Sequence, residues 1–146
     1  MTHTVESFLS TIEEQEIVAA IREAELNTSG EIRVHIEDHC ENKVNERALE
    51  VFKTLHMDNT RERNGLLIYV AVCDKTFGIY GDKGIDEVVT NHFWDATKDI
   101  IQSHFKKGHF KKGIVDGVLL AGEQLKKYFP YDSNDLNELS NTISKG

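Results

Sequence analysis

The run from Leu66 to Val72 has no polar position. A strand that is apolar on both faces must be covered on both faces, so this segment belongs at the centre of a sheet flanked by two layers. Cys73-Asp74-Lys75 is short enough to turn the chain into a second strand, Thr76 to Tyr80, as a hairpin. A loop of glycines and carboxylates follows: Gly81, Asp82, Gly84, Asp86 and Glu87.

The surrounding segments supply the layers. Ser10-Thr11-Ile12-Glu13 reads as a capping box, and Ile17, Ile21 and Ala24 recur behind it at helical spacing, with Val18 widening the stripe. Asn27-Thr28-Ser29-Gly30 ends that helix with turn residues. From Glu31 to Glu37 the chain alternates, Ile32, Val34 and Ile36 against Glu31, Arg33, His35 and Glu37, which predicts a strand with one exposed face that includes His35. A helix from about Asn42 to Leu55 places Val44, Ala48, Val51, Phe52 and Leu55 on one side. Two more follow. One runs from about Asn91 to Lys106 with Phe93, Trp94, Thr97, Ile101 and Phe105, and the other, with Ile114, Val115, Val118, Leu119 and Leu125, ends near Phe129 before Pro130.

The first two strands flank a crossover helix and should be parallel, and the hairpin makes the third antiparallel to the second. The expected fold is α/β: an α/β/α sandwich with a small mixed β-sheet covered by helices on both faces. One domain is expected over residues 1–130. The polar residues 131–146 form a tail that frays or carries one short helix from Ser133.

Composition limits the function classes. The net charge of −8 argues against a nucleic-acid binder, which needs a concentrated positive face. Cys40 and Cys73 are far apart and lack a CxxC pattern, so both are expected as thiols. No apolar run reaches the roughly 20 residues of a membrane span, and the N-terminus has no basic start or apolar core; a soluble, cytoplasmic chain is expected.

Strand direction sorts the carboxylates. The starts of strands one and two and the end of strand three fall on one rim, which gathers Glu31, Asn64, Asp82, Asp86 and Glu87. Oxygen donors of this kind suit calcium or magnesium, with Gly81 and Gly84 letting the backbone turn sharply. Paired carboxylates also suit general acid–base work, and solvated loop charges are a third reading. The opposite rim offers Glu37, Asp38, His39, Cys40 and Asp74, a weaker alternative for a metal. Ser29 lacks both a GxSxG setting and a placed His–Asp pair, so no catalytic residue is assigned. Lys106, Lys107, Lys111 and Lys112 form the one basic patch, read as a solvated helix turn or a docking surface.

Three segments, TSGEIRVHIE (Thr28 to Glu37), RNGLLIYVAVCDKTFGIYGDKGID (Arg63 to Asp86) and FKKGHFKKGIVDGV (Phe105 to Val118), resemble the TPM-domain family. That family includes thylakoid lumen proteins linked to photosystem II repair, animal membrane proteins that modulate receptors, and many bacterial proteins. The resemblance covers about residues 10–129 and implies the same sandwich. It also implies a divalent metal, since some relatives bind calcium, and phosphatase activity, since some are described as acid phosphatases. The matching positions are Ser29, Gly30, Glu31, Asn64, Gly65, Gly81, Gly84 and Asp86. Where relatives often continue glycine-leucine-glutamate-glycine, this chain has Gly84-Ile85-Asp86-Glu87, which keeps the acidity and loses a glycine. The expectation is a TPM-like domain that binds calcium or magnesium with modest affinity at Glu31, Asn64, Asp82, Asp86 and Glu87. The alternatives are a metal-assisted acid phosphatase and a protein-interaction module with a protein partner.

Overall fold

The computed structural model describes residues 9–90, 92–131 and 141–146. Helix α1 spans Thr11–Glu25 and opens with the expected capping box: Ser10 Oγ accepts the Glu13 N–H and the Glu13 carboxylate accepts the Ser10 N–H. Strand β1 (Glu31–Glu37), helix α2 (Val44–Thr54), strand β2 (Gly65–Ala71) and strand β3 (Thr76–Gly81) follow. A single turn of helix, α3 (Lys83–Asp86), precedes α4 (Asp95–Lys106) and α5 (Phe110–Lys126). The glycine-and-carboxylate segment is therefore partly helical. Gly108, at φ 77, makes the turn between α4 and α5. The expected start of α4 at Asn91 lies outside the described residues, as do positions 132–140 of the tail.

The sheet is mixed, in the order β3-β2-β1-β4. β1 and β2 are parallel across the α2 crossover, and β2 and β3 are an antiparallel hairpin. Every residue of β2 is buried, as its unbroken apolar run requires. Ile32, Val34, Ile36, Leu66, Ile68 and Val70 face α1, α4 and α5 in the larger core. Leu67, Tyr69 and Ala71 face Ala48, Val51 and Phe52 of α2 in the smaller one. This is the α/β/α sandwich.

β4 (Ser144–Lys145) was not legible in the sequence. It pairs parallel to β1, with His35 opposite Ser144 and Ile36 opposite Lys145. It closes the edge of β1 beside His35 and Ile36. The polar side of β1, expected to be an exposed face, shares the face of Leu67, Tyr69 and Ala71 that packs under α2. Glu31, His35 and Glu37 are all buried, the last two at 5 % exposure.

Candidate functional site

The rim at the start of β1 and β2 assembles as strand direction requires. Glu31 lies opposite Gly65 in the β1–β2 register, and on the other side the Asp82 N–H donates to the Gly65 carbonyl at 2.9 Å. Glu31 and Asp82 thus flank one residue, and each is 3 % exposed. Asn64 is buried just before β2, its backbone N–H donating to Thr60 Oγ1 and its carbonyl accepting the Glu31 N–H.

Side-chain bonds divide these residues between separate tasks. Asp82 takes a two-pronged ion pair from Arg63, Nε to Oδ2 at 2.8 Å and Nη2 to Oδ1 at 3.0 Å. It also caps α3 by accepting the Lys83 N–H at 2.7 Å. The Arg63 side chain, 46 % exposed, closes the rim from the solvent side. Asn64 Nδ2 donates to Ser29 Oγ and to Glu62 Oε2, both at 3.3 Å, and Ser29 Oγ donates to the same Glu62 oxygen at 2.9 Å. Ser29 is therefore a turn residue tied to a carboxylate, not to an imidazole. Asp86 and Glu87 are exposed at the end of α3. Partial desolvation against the rim, and then the charge of Asp82, push the Asp86 carboxyl above its usual range.

Gly84 has a role different from the sharp turn expected of it. A Cβ there would meet the carbonyl oxygens of Glu62 and Arg63 at 2.2 and 2.6 Å. The residue lets α3 press onto that loop, with its N–H on the Arg63 carbonyl at 2.8 Å.

The donors are oxygens, which suits a hard cation, but they do not converge as they stand. Among the described residues no three His, Cys, Asp or Glu side chains group closely enough to hold an ion. At Asp82 both carboxylate oxygens already hold the Arg63 guanidinium. The weaker alternative on the opposite rim also resolves into local bonds. Asp74 accepts the Cys40 N–H at 2.6 Å and pairs with His39 at 3.1 Å, and Cys40 and Cys73 are both free thiols.

The sequence reading missed a buried charged network on β1. Glu37 accepts Arg47 Nε and Nη2, both at 2.8 Å, with His35 Nε2 at 3.0 Å and the Tyr69 hydroxyl also on its oxygens. His35 Nδ1 bonds Ser144 Oγ at 2.9 Å, and its ring stacks on Tyr69. Burial pushes the Glu37 carboxyl up, but the bonds from Arg47, Tyr69 and His35 outweigh it and hold the group down at about 2. Burial also lowers His35, against the upward pull of Glu37. A cleft of about 490 Å³ adjoins the network, between Glu37, His39, Arg47 and Glu50. A buried His35 was hidden in the sequence because the covering strand is two residues long and carries no pattern.

An α/β/α sandwich with a four-stranded mixed sheet and an acidic rim at the β1–β2–β3 junction defines the class. The TPM-domain family model matches residues 4–124, and the chain belongs to that family. It is 60 % identical to the BA42 protein of the psychrophilic bacterium Bizionia argentinensis, over 97 % of this chain and 98 % of that one, at a TM-score of 0.92. The N-terminal domain of a P. gingivalis protein shares the fold at 18 % identity and TM-score 0.71, covering 86 % of this chain and 81 % of that one. The N-terminal domain of cg2496 from Corynebacterium glutamicum does so at 13 % and 0.61, over 94 % and 81 %. Comparison with curated proteins gives no match. Among the described residues no helix is long and apolar enough to cross a membrane.

Proposed function

We propose that this TPM domain binds a divalent cation, calcium or magnesium, with modest affinity at the Glu31–Asp82 rim, by exchange for the Arg63 guanidinium. The observation that carries the reading is the placement of two buried carboxylates, Glu31 and Asp82, on either side of Gly65. The Asp82 charge is met by a half-exposed arginine that solvent can reach, so a dissolved cation can compete with the guanidinium for that carboxylate. Asn64, Asp86 and Glu87 complete the oxygen set once α3 adjusts. Affinity is modest because an ion pair must break and the rim must reorder before the metal is held.

Hydrolysis ranks second. The Ser29 hydroxyl donates to Glu62 and no imidazole bonds it among the described residues, so the serine–histidine pair of a triad is not formed there. A protein-interaction role is a third reading.

Calcium titration of the ¹⁵N-labelled protein tests the cation reading. Saturable amide shifts are expected at Glu31, Arg63 to Gly65 and Asp82 to Glu87. Asp82→Asn should abolish them, and Arg63→Ala, which removes the competitor, should tighten binding severalfold. Shifts confined to other residues, or weaker binding in Arg63→Ala, would overturn it. A phosphomonoester assay of the same samples addresses the second reading: turnover lost in Asp82→Asn would move hydrolysis ahead.

A further inference from the structure

β3 is the outer strand of the sheet. The bond from the Asp82 N–H to the Gly65 carbonyl fixes the alternation of its ladder. Tyr80, Gly78 and Thr76 exchange backbone bonds with β2, so Phe77 and Ile79 turn their N–H and C=O groups outward. No turn, loop or side-chain hydrogen bond among the described residues takes those outward groups. An open row of backbone donors and acceptors is a template for another strand.

This edge is recessed. A groove of about 510 Å³ is lined by Val44 of α2, Thr76 and Phe77 of β3, and Phe105 and Lys106 of α4, with Lys75 at the hairpin end. Helices α2 and α4 pack on opposite faces of the sheet, so a groove touching both wraps around the free edge. Phe77 and Phe105 meet edge to face at 5.5 Å and give it an apolar wall. Thr76 Oγ1 is closed off from solvent and has no hydrogen-bond partner among the described residues.

The charge of the groove is opposite to that of the chain. No acid lines it, and neither Lys75 nor Lys106 forms an ion pair among the described residues. Elsewhere Lys111 pairs with Glu16 and Lys145 with Glu14. Two uncompensated cations beside an apolar slot, in a chain of net charge −8, select an acidic ligand.

We propose that this groove docks an extended acidic segment of a partner protein, which adds to β3 as a further strand. Main-chain bonds to Phe77 and Ile79 supply affinity, alternate apolar side chains seat against Phe77 and Phe105, and acidic side chains reach Lys75 and Lys106. A second copy paired through the same edge would bring its own Lys75 and Lys106 to the groove, cation against cation, whereas an acidic chain meets opposite charge there.

The probe is a short fluorescein-labelled peptide alternating glutamate and valine, with a lysine–valine peptide as control. The acidic peptide should bind, less tightly as salt rises, and the Phe77 and Ile79 amides should shift and gain exchange protection. The double variant Lys75→Asp, Lys106→Glu should keep its other amide positions and weaken binding more than tenfold. Failure of the acidic peptide to bind, shifts away from residues 76–81, or unchanged binding in the double variant would overturn the proposal. So would concentration-dependent dimerisation through these same amides, which would make a second copy the occupant.

Discussion

Replacing Glu37 with Gln isolates the energetic role of the buried network. Glutamine has the shape of a protonated glutamate, so the variant approximates the wild type with this one group uncharged. The folded-state pKa of about 2 lies below the ordinary glutamate value of 4.5. At pH 7 that depression corresponds to about 3 kcal/mol of stability. The Arg47 side chain is 33 % exposed and can recover some hydration, so this is the upper end of the expected loss. The sign follows from proton uptake. Below pH 4.5 the unfolded chain binds a proton that the folded protein still refuses, so the contribution falls as pH drops toward 2. At pH 3 about 1.4 kcal/mol of it remains. Urea unfolding of both proteins at pH 7 and pH 3 measures the gap directly, and it should narrow from about 3 to about 1.4 kcal/mol. His35, held low by burial, also loses stability as pH falls, but from about pH 6.5, where the unfolded imidazole titrates. His35 is present in both proteins, so the part of its contribution that does not depend on Glu37 cancels from the gap. A gap that does not change with pH would refute the assignment of Glu37 as the stabilising charge. So would a gap below about 1 kcal/mol at pH 7, the level of an ordinary surface pair.

Two other substitutions probe the rim. Gly84→Ala forces a methyl onto two backbone carbonyls that cannot swing aside, which should cost about 3 kcal/mol and lower Tm by about 10 °C in a thermal scan; an unchanged Tm would show that α3 is not pressed onto the Glu62–Arg63 loop. Asp86→Asn should raise the urea midpoint slightly at pH 7 and have no effect in acid. Its carboxyl is held above the normal range by burial and by Asp82, so the charged form is disfavoured in the folded state and that cost vanishes on protonation. A lowered midpoint at pH 7 would contradict this.

The two rim contacts that matter most differ in how far sequence could reach them. That Glu31 and Asp82 share a rim follows from strand direction alone, because a crossover between parallel strands and a tight hairpin leave no other arrangement. That Asp82 is clamped by Arg63 does not follow from any pattern. It depends on the chain turning at Arg63, at φ 52, so that the guanidinium folds back over the strand end. Similarly, Lys75 and Lys106 are unremarkable in sequence, separated by 30 positions of strand, loop and helix. Only the packing of α4 against β3 puts them beside one groove.

Hydrophobic periodicity by itself determined the helices, the buried central strand, the hairpin and the layered sandwich, because backbone geometry repeats at fixed intervals and burial must follow it. Family membership was carried the same way, by local segments in order. The tertiary structure decided which charges are solvated and which are locked together. His35 and Glu37 alternate as a solvent face would, yet two residues from the far end of the chain, Ser144 and Lys145, shield that edge, and Arg47 and Tyr69 neutralise what is buried. A charge's environment is set by whatever packs over it, and in this chain the covering groups come from distant positions that no local spacing encodes.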